Sequence, residues 1–195
     1  MTAVAPAPDT DRVHGAPSAL GVGVVVWLAS ELMFFAGLFA TWFTLRANAG
    51  ADAWPPEDVE LEVARTAVAT AVLIASSGTM HIAAGAAHRT DRVGAIRWLA
   101  VTAVLGALFL ANTVSEWAAA DFSIDSHAYG SIFYILTGFH GLHVLGGILF
   151  MGAIAGTIAG RSRAPAGPTV EVCAAYWHFV DVVWVAVFAT VYLLD

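Results

Sequence analysis

The sequence predicts an all-α, polytopic membrane protein built as a five-transmembrane-helix bundle, and three observations carry that expectation. Hydrophobic residues make up 59% of the chain and charged residues only 12%, against about 25% charged in a soluble domain. Five apolar stretches are each long enough, at about 1.5 Å of rise per residue, to cross the roughly 30 Å of a bilayer core. No stretch alternates apolar and polar residues in the manner of a barrel strand, which leaves helices as the only spanning structure. A length of 195 residues leaves nothing over for a soluble domain.

Residues 1–18 are rich in Pro and Ala and lack the basic start of a secretory signal, so a short disordered cytoplasmic tail is expected there. The membrane domain, 19–195, follows. Its first span, 19–45, carries Glu31 near its midpoint. An ionisable group at that depth costs at least about 2.5 kcal/mol, so it requires a neutral form, a partner or a polar niche. The second span, 63–87, contains His81, and the third covers 93–117. The fourth, 129–158, carries His140, His143 and the glycines Gly138, Gly141, Gly146 and Gly147. Small residues let helix backbones approach closely in lipid, which would bring the histidines against a neighbour. The fifth, 170–194, holds Cys173, Trp177, His178, Asp181 and Trp184.

Charge fixes an expected orientation. All eight basic residues are arginines. Six of them, Arg12, Arg89, Arg92, Arg97, Arg161 and Arg163, fall on the side of the N-terminus, and the opposite links are acidic. The positive-inside rule therefore puts the N-terminus in the cytoplasm and the C-terminus outside. A net charge of −7 argues against a nucleic-acid surface. The single cysteine, Cys173, reads as a small buried apolar residue and excludes a centre built on two thiolates from this chain.

His140 and His143, and likewise His178 and Asp181, are spaced i, i+3 and share a helix face. Imidazole with carboxylate suits a metal, and helix bundles build such sites between facing helices. The Glu-x-x-His spacing is absent, however: three residues after Glu31 comes Phe34. No His-Glu-x-x-His occurs either. The favoured reading is an internal hydrogen-bond network that locks helices together, with Asp181 held by His178 or an indole N–H, and with Trp177 and Trp184 framing it. A metal or proton-transfer site is the less favoured alternative for the same residues.

Four stretches then point to a family: WLASELMFF at 27–35, WPP at 54–56, YGSIFYILTGFHGLHVLGG at 129–147 and YWHFVDVVW at 176–184. Together and in this order they resemble subunit III of haem–copper cytochrome c oxidases, in the short five-helix bacterial form. The resemblance covers nearly the whole chain; the two long motifs are highly specific, whereas WPP alone is weak. It departs from the family pattern where the third span runs from Ser115-Glu116-Trp117 into Ala residues, and around a shortened link at 88–92.

The resemblance implies a subunit with no redox centre of its own, packed mainly against catalytic subunit I, with subunit II and other respiratory-complex subunits as further partners. Haem a and copper would reside in those partners. It also implies tightly bound phospholipid, protection of subunit I against inactivation during turnover, and support of proton uptake. Glu31 matches the family's carbodiimide-reactive membrane carboxyl. His140, His143, His178 and Asp181 match intramembrane polar positions that are not redox-metal ligands, and His81 is grouped with them as a lipid- or proton-related candidate. Gly138, Gly141, Trp177 and Trp184 are the packing and interface candidates. An aa3-type proton-pumping oxidase is the reading this supports, with the equivalent subunit of a quinol oxidase or nitric-oxide reductase-like complex as the alternative. GFHGLHV favours the cytochrome c branch. A free-standing proton-coupled carrier is disfavoured by the lack of internal repeats and broken-helix signals.

Overall fold

A computed structural model describes residues 19–50, 53–57, 59–160 and 166–194. The tail expected over 1–18 lies outside the described residues. Five α-helices are present among the described residues: α1 (Ala19–Ala49), α2 (Val63–His88), α3 (Arg92–Ala119), α4 (Ala128–Ala159) and α5 (Gly167–Phe188), the last running into a π-helical turn over Ala189–Leu193. All five are long and apolar enough to cross a membrane. Helices α1 to α4 each cover the apolar stretch that marks them, and α5 together with its π-turn spans Gly167–Leu193.

Local chemistry sets the ends. Asp91 caps α3, its carboxylate accepting from the Gly94 amide at 2.9 Å, which satisfies one of the helix's orphan donors. His127 does the same for α4, with Nδ1 accepting from the Gly130 amide at 2.8 Å. Pro168 opens α5 in the first turn, where its missing N–H costs nothing.

Helices α2, α3, α4 and α5 pack in a closed ring, α2 on α3, α3 on α4, α4 on α5 and α5 back on α2. Helix α1 stands outside the ring, against α4 and more lightly α5. The ring interior is aromatic, with Phe109, Phe133, Trp177 and Trp184 almost fully buried. A second aromatic knot closes the end of the bundle at the α1–α2 link. There Trp42 meets Trp54 at 5.2 Å and Tyr129 at 5.1 Å between ring centroids.

Candidate functional site

The polar groups at membrane depth do not gather at one point; they form separate bridges between helices. The outermost joins α1 to α4, where His143 Nε2 lies 3.0 Å from Glu31 Oε2. The other ring nitrogen, Nδ1, is 2.6 Å from the Phe139 carbonyl. A carbonyl can only accept, so Nδ1 carries a hydrogen and the imidazole is fixed in one orientation. Nε2 then either accepts from a protonated Glu31 or donates to its carboxylate. Both arrangements leave the pair uncharged as a unit, the form a bilayer tolerates. Tyr176 Oη donates to the His143 carbonyl at 2.9 Å, and its ring stacks on Trp27 of α1 at 5.0 Å. Phe35 packs edge-on against the His143 ring. The side chains of His143 and Glu31 remain 16% and 25% exposed, so the pair sits at the rim of the bundle.

A second bridge joins α2 to α5. Ser77 Oγ donates to Asp181 Oδ2 and stands 2.9 Å from His178 Nδ1. Since the hydroxyl hydrogen is committed to the carboxyl, His178 Nδ1–H donates to Ser77 Oγ. His178 and Asp181 are thus joined through a serine of the neighbouring helix. His81 lies near His178 but is exposed on the outer face of α2.

The two tryptophans take another role than the one expected of them. They do not donate to Asp181. Trp177 Nε1 donates to Ser76 Oγ and Trp184 Nε1 to Thr70 Oγ1, each at 2.9 Å. Those hydroxyls pass their own hydrogens to the α2 carbonyls of Leu73 and Thr66. Each indole is therefore tied to the α2 backbone through one hydroxyl. The glycines correspondingly make room for a ring rather than for a helix backbone. A methyl on Gly147 would stand 2.7 Å from the Trp177 ring, and one on Gly106 would stand 2.6 Å from it. Gly138 and Gly141 instead line a groove of about 490 Å³ between α3 and α4, floored by Trp117, Tyr134 and Leu142.

His140 shares its helix with His143 but points elsewhere. It is buried in the ring, edge-on to Phe109 and 4.8 Å from the Trp184 ring centroid. Neither of its nitrogens has a hydrogen-bond partner among the described residues. A third bridge was not anticipated from the sequence: buried Glu116 of α3 accepts from Thr66 of α2 at 3.1 Å and from Tyr192 of the π-turn at 3.0 Å. Beside it, Arg65 of α2 donates to Asn112 at 2.9 Å and to Ser115. Among the described residues, no three His, Cys, Asp or Glu side chains converge in a way that could hold a metal ion. What this arrangement does chemically is hold helices in register, giving Glu31, Asp181 and Glu116 each a hydrogen-bond partner on a neighbouring element.

Residues 10–195 match the family described as cytochrome c oxidase subunit III. A probable cytochrome c oxidase subunit 3 of Nocardia farcinica is 44% identical over 191 residues, covering 95% of this chain and 94% of the relative. Cytochrome c oxidase subunit 3 of Corynebacterium diphtheriae is 41% identical, with 97% and 95% covered. The subunit of the same name from Synechocystis is 39% identical, with 93% of this chain and 78% of the relative covered.

Proposed function

The chain belongs to the cytochrome c oxidase subunit III family, and from that premise we propose that it is the non-catalytic third subunit of a bacterial aa3-type, proton-pumping oxidase. As a subunit of that complex it is a multi-pass membrane protein. In this reading it packs mainly on subunit I, with subunit II also in the complex, retains phospholipid at its surface, and supports proton uptake by its neighbour. Haem a and copper belong to those partners. The N-terminus faces the cytoplasm and the C-terminus the outside, as the arginine distribution asks. The names of the relatives favour cytochrome c over quinol as the electron donor.

The observation that carries this reading is the dispersal of ionisable side chains into separate interhelical bridges, each involving two or three helices. Such bridges rigidify a scaffold. Glu31 with His143 is the candidate for lipid- or proton-related work, because it combines a carboxyl and an imidazole in direct contact with partial exposure at the rim of the bundle. His81, His178 and Asp181 form the second candidate group, and buried His140 serves packing.

Deleting this chain from the oxidase tests the reading. Haem and copper content should stay intact while activity per haem decays over successive turnovers. A complex lacking the chain with unchanged activity and unchanged lifetime would overturn the proposal.

A further inference from the structure

His140 is 1% exposed, and its ring is held from two sides. Phe109 of α3 meets it edge-on with 5.7 Å between ring centroids, and Trp184 of α5 lies 4.8 Å away. These contacts pack the ring but leave its polar atoms unanswered. Both nitrogens are shut off from the surface, and neither meets a donor or acceptor among the described residues. A neutral imidazole carries one N–H and one lone pair in either tautomer, so moving its hydrogen or flipping the ring changes nothing. Buried polar atoms in native interiors are almost always hydrogen-bonded, to protein or to ordered water.

Two buried hydroxyls belong to the same part of the ring. Thr137 precedes His140 by three residues on α4, a spacing that makes helical side chains neighbours with about 5–6 Å between Cβ atoms. A helical side chain also leans back over that turn. Thr113 follows Phe109 by one turn on the buried face of α3. Each threonine donates to the carbonyl four residues earlier, Thr137 to Phe133 at 2.7 Å and Thr113 to Phe109 at 3.2 Å. With their hydrogens committed, the two oxygens can only accept. One donor, the imidazole N–H, thus stands against three acceptors, the other ring nitrogen and the two threonine oxygens.

Hydrogens are what this set lacks. A cation supplies none and cannot accept from the N–H, and Glu116, the carboxyl of α3, already accepts from Thr66 and Tyr192. Water donates two hydrogens and accepts two, and a buried water makes about three such bonds. Phe109 also lines a groove of about 340 Å³ between α2 and α3, with Arg65 and Asn112 in its wall. This one ring therefore stands between His140 and a route to the surface.

We infer that water is bound at His140 inside the ring of α2 to α5. It accepts from the imidazole N–H and donates to the second nitrogen and to the oxygens of Thr137 and Thr113. The site is internal to this chain and holds whether or not the chain serves an oxidase.

The test is radiolytic footprinting of the full chain, purified with whatever partners it carries, in heavy-oxygen water under a short X-ray pulse. Bound water is activated in place and marks the side chains that touch it, however deeply they are buried. Trp184 and Phe109, each 1% exposed, should take up heavy oxygen well above Met151, equally buried at 1%. Uptake at Trp184 and Phe109 no higher than at Met151 overturns the inference, and this comparison needs no variant. In His140→Phe, uptake at both positions should fall to the level of Met151. Undiminished uptake in that variant shows that other groups hold the water and overturns its assignment to His140. Thr137→Val, which keeps the shape and removes one acceptor, should lower the uptake at Trp184 while leaving that at Met151 unchanged; an equal footprint overturns the role of Thr137 in the site.

Discussion

His143 of α4 reaches Glu31 of α1 with 3.0 Å between Nε2 and Oε2, a polar link that ties α1 to the ring. Removing either partner leaves the other facing hydrocarbon. Glu31→Ala and His143→Ala should therefore each destabilise the attachment of α1, and the double variant should lose less than their sum. The expected coupling is roughly 0.6 to 2 kcal/mol, read by thermal unfolding in detergent. Coupling near zero would mean that the two side chains do not act as a pair. Glu31→Gln keeps a donor for Nε2 and should lose less than Glu31→Ala, abolish carbodiimide labelling, and leave the metal content of the oxidase unchanged.

Ser77 carries the whole link between His178 and Asp181. Ser77→Ala should cost about 1 to 3 kcal/mol, the scale of a buried polar group left without a partner. Adding Asp181→Leu to Ser77→Ala should recover much of that loss, since an apolar replacement of the set leaves less unsatisfied. A double variant less stable than Ser77→Ala alone would show that Asp181 has a further essential partner.

The seat of Trp177 separates two glycines that look alike in sequence. Gly147→Ala would push a methyl to 2.7 Å from the indole and should cost about 1 to 3 kcal/mol, the usual range for overpacking. Gly138→Ala would meet Trp117 at an ordinary 3.6 Å and should change stability by less than about 0.5 kcal/mol. Equal effects of the two substitutions on the melting temperature would contradict this seating.

Tyr192→Phe deletes one of the two donors to buried Glu116. A loss of about 1 to 3 kcal/mol is expected. Combining it with Glu116→Gln should soften the loss, because an amide tolerates burial better than a carboxyl stripped of a donor. Melting of the two variants side by side decides it.

Composition and hydropathy reveal the five helices because a bilayer demands uninterrupted backbone hydrogen bonding over its full thickness. They reveal helix ends less well. Hydropathy reports the hydrocarbon slab, whereas α1 runs on to Ala49 and α5 begins at Gly167, where Arg46 and Pro168 mark the polar flank and the first helical turn. Candidate residues at membrane depth were visible as charged or imidazole side chains in apolar runs, but their pairing was not. An i, i+3 step turns about 60° around the helix, enough to send His140 into the ring and His143 to its rim. Ser76, Ser77, Thr66 and Thr70 gave no warning. Serine and threonine are common in membrane helices, where their hydroxyls can return a hydrogen bond to their own backbone. The α2 hydroxyls of Ser76 and Thr70 do this while also accepting an indole N–H. Glu116 was legible as an acid near a helix end, but its partner Tyr192 depends on a π-turn that re-aims one side chain, and no residue pattern in ATVYL announces it.

The position of α1 outside the ring also bears on how the protein is made. Of the five helices, α1 is made before the two it contacts, α4 and α5. At roughly 5 to 20 residues per second, α1 waits several seconds in the bilayer before α4 is synthesised. Its exposed Val25, Val26, Leu32 and Met33 are suited to lipid during that wait. Final assembly of the subunit is then a lateral docking event, completed when His143 arrives to meet a carboxyl that entered the membrane first.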